Sequence, residues 1–375
     1  MKILVAINQS RVLYDFKKEL VDALAGQGDK LVLSFVEDFR AEYFRRPELE
    51  ILPTPLDPRG ARPDRDLRLY LFYRRILRRE RPDLVLTFTI KPNVYCGLAA
   101  ARARTPYLAT ISGLGSAVHS GGLLGILTSR MYRVGLRGAT RVFCQNGAIE
   151  EWALRNCAAK ESQIVRVPGS GVNLDRFHSL PYPSETGRIN LLFIGRLMPD
   201  KGVVELIEAA RRVRATRPNV RFQLLGAPEV GSDVARLVES AAFDGVIERL
   251  GYQLDVVPYL REASALLLPS WHEGMSNALL EAAASARPVI ASDVPGCREI
   301  FVDGVTGFGH APRDAASLAA ALERFLALPR EKREEMGRLG RQKIEAEFSR
   351  ALVVDAYLRE IRKFRDLLKT KRSEP

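Results

Sequence analysis

Short apolar runs rich in β-branched residues recur along this chain between amphipathic stretches of helical length, in two separate series. The first comprises Ile3–Ile7, Leu31–Val36, Leu84–Thr89, Tyr107–Ile111, Val142–Cys144 and Ile164–Val167. Runs of that length without polar alternation are strands buried on both faces, so the βα units build a parallel sheet. Pro168-Gly169-Ser170-Gly171 then breaks the pattern, and Pro181 and Pro183 follow in a polar stretch that reads as a linker. The second series runs Ile189–Ile194, Val220–Leu225, Ile247–Leu250, Ala265–Leu268 and Val289–Ala291. After Gly307 only helical patterns remain, around Ala315–Ala327, Arg330–Glu347 and Ala351–Lys369. The expected fold is α/β: two Rossmann-like, doubly wound domains at residues 1–180 and 181–350, facing across a cleft, with a helix at 351–375 crossing back to the first. A chain of 375 residues that is 46% apolar has enough to bury in two such cores.

The formal net charge of +12 is concentrated in the first half. It suits a phosphorylated ligand, an anionic membrane face or nucleic acid, and equally an arginine-rich composition with no partner. No recognition helix or aromatic-interleaved basic strand is present, which argues against nucleic acid. Cys96, Cys144, Cys157 and Cys297 form no C-x-x-C pair and read as buried thiols of a reducing compartment. The run Ile3–Ile7 is too short for a signal segment. Thr105–Ser129 carries no charge but is broken by five glycines, so no membrane span is expected there.

The densest chemistry lies in Ser270-Trp271-His272-Glu273-Gly274-Met275-Ser276-Asn277 and on to Glu281, between a strand and a helix that starts near Asn277. Free N–H groups and the dipole at a helix N-terminus suit a phosphate, and Glu281, a turn later, reaches toward a ribose diol. Glu273 in the turn suits sugar hydroxyls. Spacing alone fits a capped helix with two solvated glutamates equally well. At the end of the domain's first strand stand Gly195-Arg196-Leu197 and Asp200-Lys201-Gly202, two cations and a second helix start at one strand end, which suits a diphosphate leaving group.

With G-R-L, K-G, L-L-G-A, E-x7-E, A-R-P-V-I-A-S-D-V-P-G-C-R-E-I and D-G-V-T-G-F in that order from Gly195 to Phe308, the chain resembles the retaining GT-B glycosyltransferases of family 4, the glycosyl transferases of group 1. The resemblance runs over nearly the whole length. It implies Arg196, Lys201 and Glu273 as catalytic residues, the first two on the donor diphosphate and Glu273 on the donor sugar. It further implies Glu281 on the ribose, Gly274, Met275, Ser276 and Asn277 covering the phosphates, and Tyr252 and Gln253 facing the base. No metal or other cofactor is implied, and the donor is a nucleotide sugar of the UDP type. The leaving phosphate takes the acceptor proton, so no general base is required.

The first domain departs from the family pattern, with Ile111-Ser112-Gly113-Leu114-Gly115 where many members carry a histidine. Together with Thr89-Ile90-Lys91-Pro92-Asn93-Val94-Tyr95-Cys96-Gly97, it is similar to the bacterial subgroup that extends polyprenyl-diphosphate-linked glycans. That similarity implies an N-acetylhexosamine or galactose donor, a polyprenyl-diphosphate acceptor near Lys91, Gly113, Gly115 and His119, and a cytoplasmic, peripheral place on the inner face of the plasma membrane. The arginine-dense Arg59–Arg81 segment suits an anionic leaflet, and Thr105–Ser129 suits the interface. A helix over Asp66–Glu80 that turns Leu67, Tyr70, Leu71 and Leu77 inward leaves its arginines in water instead. Asp64-Arg65-Asp66 spells a metal motif but precedes a helix, as a cap does. His119 reads as a base or as incidental. Gly113-Leu114-Gly115 lacks what dinucleotide binding requires. A nucleotide-sugar epimerase on the same fold remains the rival enzyme.

Overall fold

The computed structural model describes residues 1–56, 62–115, 122–157, 159–185, 187–228 and 232–373. The chain divides into two compact units, Met1–Ser170 with Ala351–Pro375, and Gly171–Arg350. The change of unit comes at Ser170, not at Leu180. Val172, Phe177 and Leu180 are buried in the core of the second unit, and Val172 bridges to Ser349.

Among the described residues the first unit holds a parallel seven-stranded sheet in the order β3-β2-β1-β4-β5-β6-β7. Its strands are β1 Lys2–Gln9, β2 Lys30–Val36, β3 Leu49–Pro53, β4 Leu84–Phe88, β5 Tyr107–Ile111, β6 Arg141–Cys144 and β7 Ile164–Arg166. The final helix, Arg350–Ser373, packs on this sheet. Tyr357 stacks on Phe143 with centroids 4.0 Å apart, its hydroxyl pairs with Thr110 at 2.8 Å, and the Lys17 ammonium lies 5.1 Å from its ring.

The second unit holds a parallel six-stranded sheet in the order β10-β9-β8-β11-β12-β13. These are β8 Ile189–Ile194, β9 Val220–Leu225, β10 Glu248–Gly251, β11 Ala265–Leu268, β12 Val289–Ser292 and β13 Gly307–His310. Strand order reverses between β8 and β11, so the loops leaving those strands part to opposite faces and open a crevice at their carboxyl ends. The same reversal falls between β1 and β4 in the first unit.

Several expectations change. Strands β3 and β13 were not read from the sequence, and β13 overturns the reading that only helices follow Gly307. The basic helix spans Pro63–Glu80 and buries Leu69, Tyr73, Ile76 and Leu77, while Leu67 and Leu71 are 58% and 48% exposed. Its apolar positions form two stripes, and the one carrying Tyr73 and Ile76 faces the core. Neither aspartate of Asp64-Arg65-Asp66 caps the helix through its side chain: Arg62 is the N-cap and Pro63 the first helical residue. Asp66 accepts a bond from Lys91 Nζ at 3.0 Å instead. Among the described residues no cluster of His, Cys, Asp and Glu could hold a metal, and no helix is long and apolar enough to cross a membrane.

Candidate active site

The two segments singled out in the sequence leave the two strands that flank the reversal in the second unit. β8 runs into Gly195-Arg196-Leu197 and a short 3-10 turn, Pro199–Lys201, and Gly202 then starts the helix Val203–Thr216. Gly202 has φ of +68°, and a Cβ there would lie 2.0 Å from the Pro269 carbonyl oxygen just past β11. Only glycine accepts both that conformation and that approach. It allows the turn carrying Lys201 to lie against the turn carrying Glu273.

Past β11, Ser276 caps the helix Asn277–Ala284, its hydroxyl accepting from the Leu279 N–H. Glu281 sits in that helix and Met275 is buried beneath the turn. Lys201 Nζ bonds Glu273 Oε1, and the fully buried Ser270 hydroxyl donates to the same oxygen at 2.9 Å. Imidazole Nε2 of His272 lies 3.4 Å from Asp200 Oδ2. A third loop closes on the turn: the Ser276 N–H donates to the Gly296 carbonyl at 2.9 Å. Gly296 has φ of +86°, and a Cβ there would meet the Glu273 carbonyl oxygen at 2.6 Å.

The structure therefore brings Lys201, Glu273 and the Gly274–Asn277 turn together. Arg196 is exposed at the same strand end, without an ion pair or hydrogen bond among the described residues. Tyr252 and Gln253 follow β10 at the sheet edge, Tyr252 47% exposed and Gln253 bonded to the Leu250 carbonyl. Sequence reasoning missed Ser270 and Gly296. Both lie in segments it had quoted, but nothing in one dimension shows that they touch Glu273.

On the first unit, Lys91 follows the reversal point of that sheet, and its charge is answered by Asp66 within the same unit. Thr89, at the end of β4, has φ of +68°, a rare and strained conformation for a β-branched residue. Gly113 and Gly115 follow β5, Gly115 with φ of +74°. His119 lies outside the described residues. All four cysteines are buried and unpaired as disulfides, and burial pushes the thiols of Cys144 and Cys157 up to about 12, which makes them inert at neutral pH.

Residues 188–327 match the family described as glycosyl transferases group 1, and residues 18–169 match the glycosyl transferase 4-like domain. A relative from Campylobacter jejuni, an N,N'-diacetylbacillosaminyl-diphospho-undecaprenol alpha-1,3-N-acetylgalactosaminyltransferase, is 25% identical over 84% of this chain and 86% of its own length. A Mycobacterium tuberculosis glycogen synthase is 28% identical over 67% of this chain and 61% of its own. The crystal structure of Anabaena HepE in complex with UDP and glucose superposes with a TM-score of 0.77 at 15% identity, covering 97% of this chain and 99% of that one. The two parallel-sheet units have the GT-B fold of that structure, and the two family matches make the chain a glycosyltransferase. The chain belongs to family 4 of that class, the glycosyl transferases of group 1.

Proposed function

We propose that this enzyme moves a sugar, N-acetylhexosamine or galactose, from a UDP-sugar to a polyprenyl-diphosphate-linked glycan, with retention of configuration and without metal or other cofactor. The observation that carries this reading is the near-end-to-end match to the Campylobacter jejuni relative, whose name specifies an undecaprenol-diphosphate acceptor. In this reading Arg196 and Lys201 hold the donor diphosphate, Glu273 the sugar, Glu281 the ribose, Tyr252 and Gln253 the base, and the backbone of Gly274–Asn277 covers the phosphates. Pairing of Lys201 with Glu273 supports it, because it sets a cation and a carboxylate side by side at a helix start. The leaving phosphate accepts the acceptor proton. Lys91, Gly113, Gly115 and His119 mark the acceptor side.

UDP- and GDP-sugars offered with and without a polyprenyl-diphosphate monosaccharide test the reading through nucleotide release. A sharp rise in UDP with the lipid acceptor is expected. The glycogen synthase similarity favours a second reading, a soluble glucan acceptor, and release stimulated by glucan but not by lipid would select it. Conversion of the donor with no acceptor present would point to an epimerase.

Peripheral attachment to the anionic inner face of the plasma membrane belongs to the same proposal. Leu67 and Leu71 stand exposed among the exposed Arg68, Arg75 and Arg78 on the Pro63–Glu80 helix, an apolar strip within a basic face. Vesicles of phosphatidylglycerol and phosphatidylethanolamine should carry the protein upward in flotation. At about 1 kcal/mol per arginine, Arg75→Gln with Arg78→Gln should weaken that binding by roughly thirtyfold. Protein that stays at the bottom with such vesicles removes the membrane from the proposal.

A further inference from the structure

The two loops that carry Lys201 and Glu273 are fastened by Trp271, a residue of the second loop. Trp271 donates its indole Nε1–H to Glu205 Oε1 at 2.9 Å, across 66 residues of sequence. Its backbone N–H donates to the Asp200 carbonyl at 2.9 Å, and His272 beside it meets the Asp200 carboxylate. On the other side the Arg313 guanidinium lies 4.3 Å from the indole centroid, a cation–π contact made by a residue whose own φ is +58°. Trp271 is thus tied to the turn before the Val203–Thr216 helix and to that helix's first turn, where Glu205 stands.

Stability alone does not account for this arrangement. Glu205 Oε2 is buried and has no hydrogen-bond partner among the described residues, so the carboxylate carries an uncompensated desolvation cost to hold one indole. Arg313 likewise occupies a backbone conformation that costs free energy in a residue other than glycine. Both costs converge on the ring at position 271, one residue from the site loop's Ser270 and two from Glu273.

We propose that Trp271, through Glu205, is a positioning residue: a strut that fixes the separation of Lys201 and Glu273. This rests on the reading above, in which those two residues act on the donor. An ammonium assists a departing diphosphate only if it already stands where charge develops, and a displacement of about 1 Å costs as much as a hundredfold in rate. The indole bond ties the Glu273 loop to the first turn of the helix that follows Lys201. Losing it leaves the spacing of the two turns to the Trp271 N–H bond to Asp200, the His272–Asp200 contact and the Lys201–Glu273 pair itself, a looser hold on the ammonium.

The test uses the full-length enzyme with a nucleotide-sugar donor and compares Trp271→Phe, Glu205→Ala and Glu205→Gln. Phenylalanine keeps a ring beneath Arg313 but has no N–H, and glutamine keeps a carbonyl oxygen that accepts the indole proton. Trp271→Phe and Glu205→Ala should each lower kcat roughly ten- to hundredfold, with a much smaller change in UDP affinity by calorimetry. Glu205→Gln should retain most of the activity. The Trp271→Phe, Glu205→Ala double variant should be no worse than either single change, as expected for two ends of one contact. Loss of folding would lower the thermal transition and the active fraction without that kcat-selective pattern or the glutamine rescue. Wild-type kcat in Glu205→Ala, in an enzyme that Lys201→Ala cripples, overturns the strut alone. Wild-type kcat in Lys201→Ala overturns the donor-site reading beneath it.

Discussion

Replacing Lys201 with alanine is expected to cut turnover by about 10²- to 10³-fold while weakening nucleotide binding far less. The reason lies in where charge appears. In the proposed reading, a donor in its ground state spreads its negative charge over two bridged phosphates and shares it with Arg196 and the helix starts after Lys201 and Ser276. Bond breaking at the anomeric carbon concentrates that charge on the departing phosphate, and a fixed ammonium meets it without reorganisation. Lys201 is fixed from both directions, by the glycine at 202 that seats its turn against Pro269 and by Glu273 Oε1. In the alanine variant Glu273 keeps only the Ser270 hydroxyl on that oxygen. Arginine is a poor substitute, since a planar guanidinium cannot occupy the volume of a compact ammonium held this closely. Initial rates of UDP release at saturating acceptor, beside calorimetric UDP affinity, check the prediction. Turnover near wild type would remove Lys201 from the chemistry.

That Lys201 and Glu273 each follow a strand was legible in the sequence, because each sits in a short motif at the end of an apolar run; that they share one site was implied only by the family resemblance. The central strands were legible for the same reason: β4, β8 and β11 are predominantly apolar segments, with β4 and β11 buried throughout. The edges were not. β3 is Leu-Glu-Ile-Leu-Pro, with a charge inside it and a proline at its end, tolerable only because it is an edge strand. β13 is Gly-Phe-Gly-His, four residues with two glycines, held by the backbone of β12. On the Pro63–Glu80 helix two apolar stripes compete, and one-dimensional periodicity offers no rule for choosing between them. The contacts made by Ser270, Trp271 and Gly296 lie beyond any such rule. Those of Trp271 and Gly296 join separate segments, that of Ser270 depends on how its own turn folds back, and these residue types are common in many other settings.

Arg287 should prove to be the polar side chain on which the second unit's stability most depends. It is fully buried, and its guanidinium donates only to backbone carbonyls: Nε to Leu260 at 2.7 Å, Nη1 to Leu180 and Ala286 at 3.2 Å, and Nη2 to Pro181 at 2.6 Å and Arg261 at 3.2 Å. The Tyr182 ring lies 5.8 Å from it. Burial lowers its pKa to about 10, so it remains charged at neutral pH. All five N–H groups of the fork are matched, and the matched carbonyls come from three stretches: the entry at Leu180–Pro181, the end of the helix Val257–Glu262, and the turn before β12. One side chain thus ties together three chain segments, two of which are also joined by the Leu180 N–H bond to the Ser285 carbonyl. Methionine fills much of the same volume but leaves those carbonyls without donors. The expected loss is about 3–5 kcal/mol, the range found when a buried charge network loses one partner. Lysine should rescue little, having three donors on a point charge where five are needed in a plane. Trp271 is the tryptophan of the second unit and Trp152 that of the first, so urea unfolding followed by fluorescence in a Trp152→Phe background isolates the relevant transition. A midpoint in Arg287→Met equal to that of the parent would mean that water replaces the guanidinium at no cost, and that the three segments are held together without it.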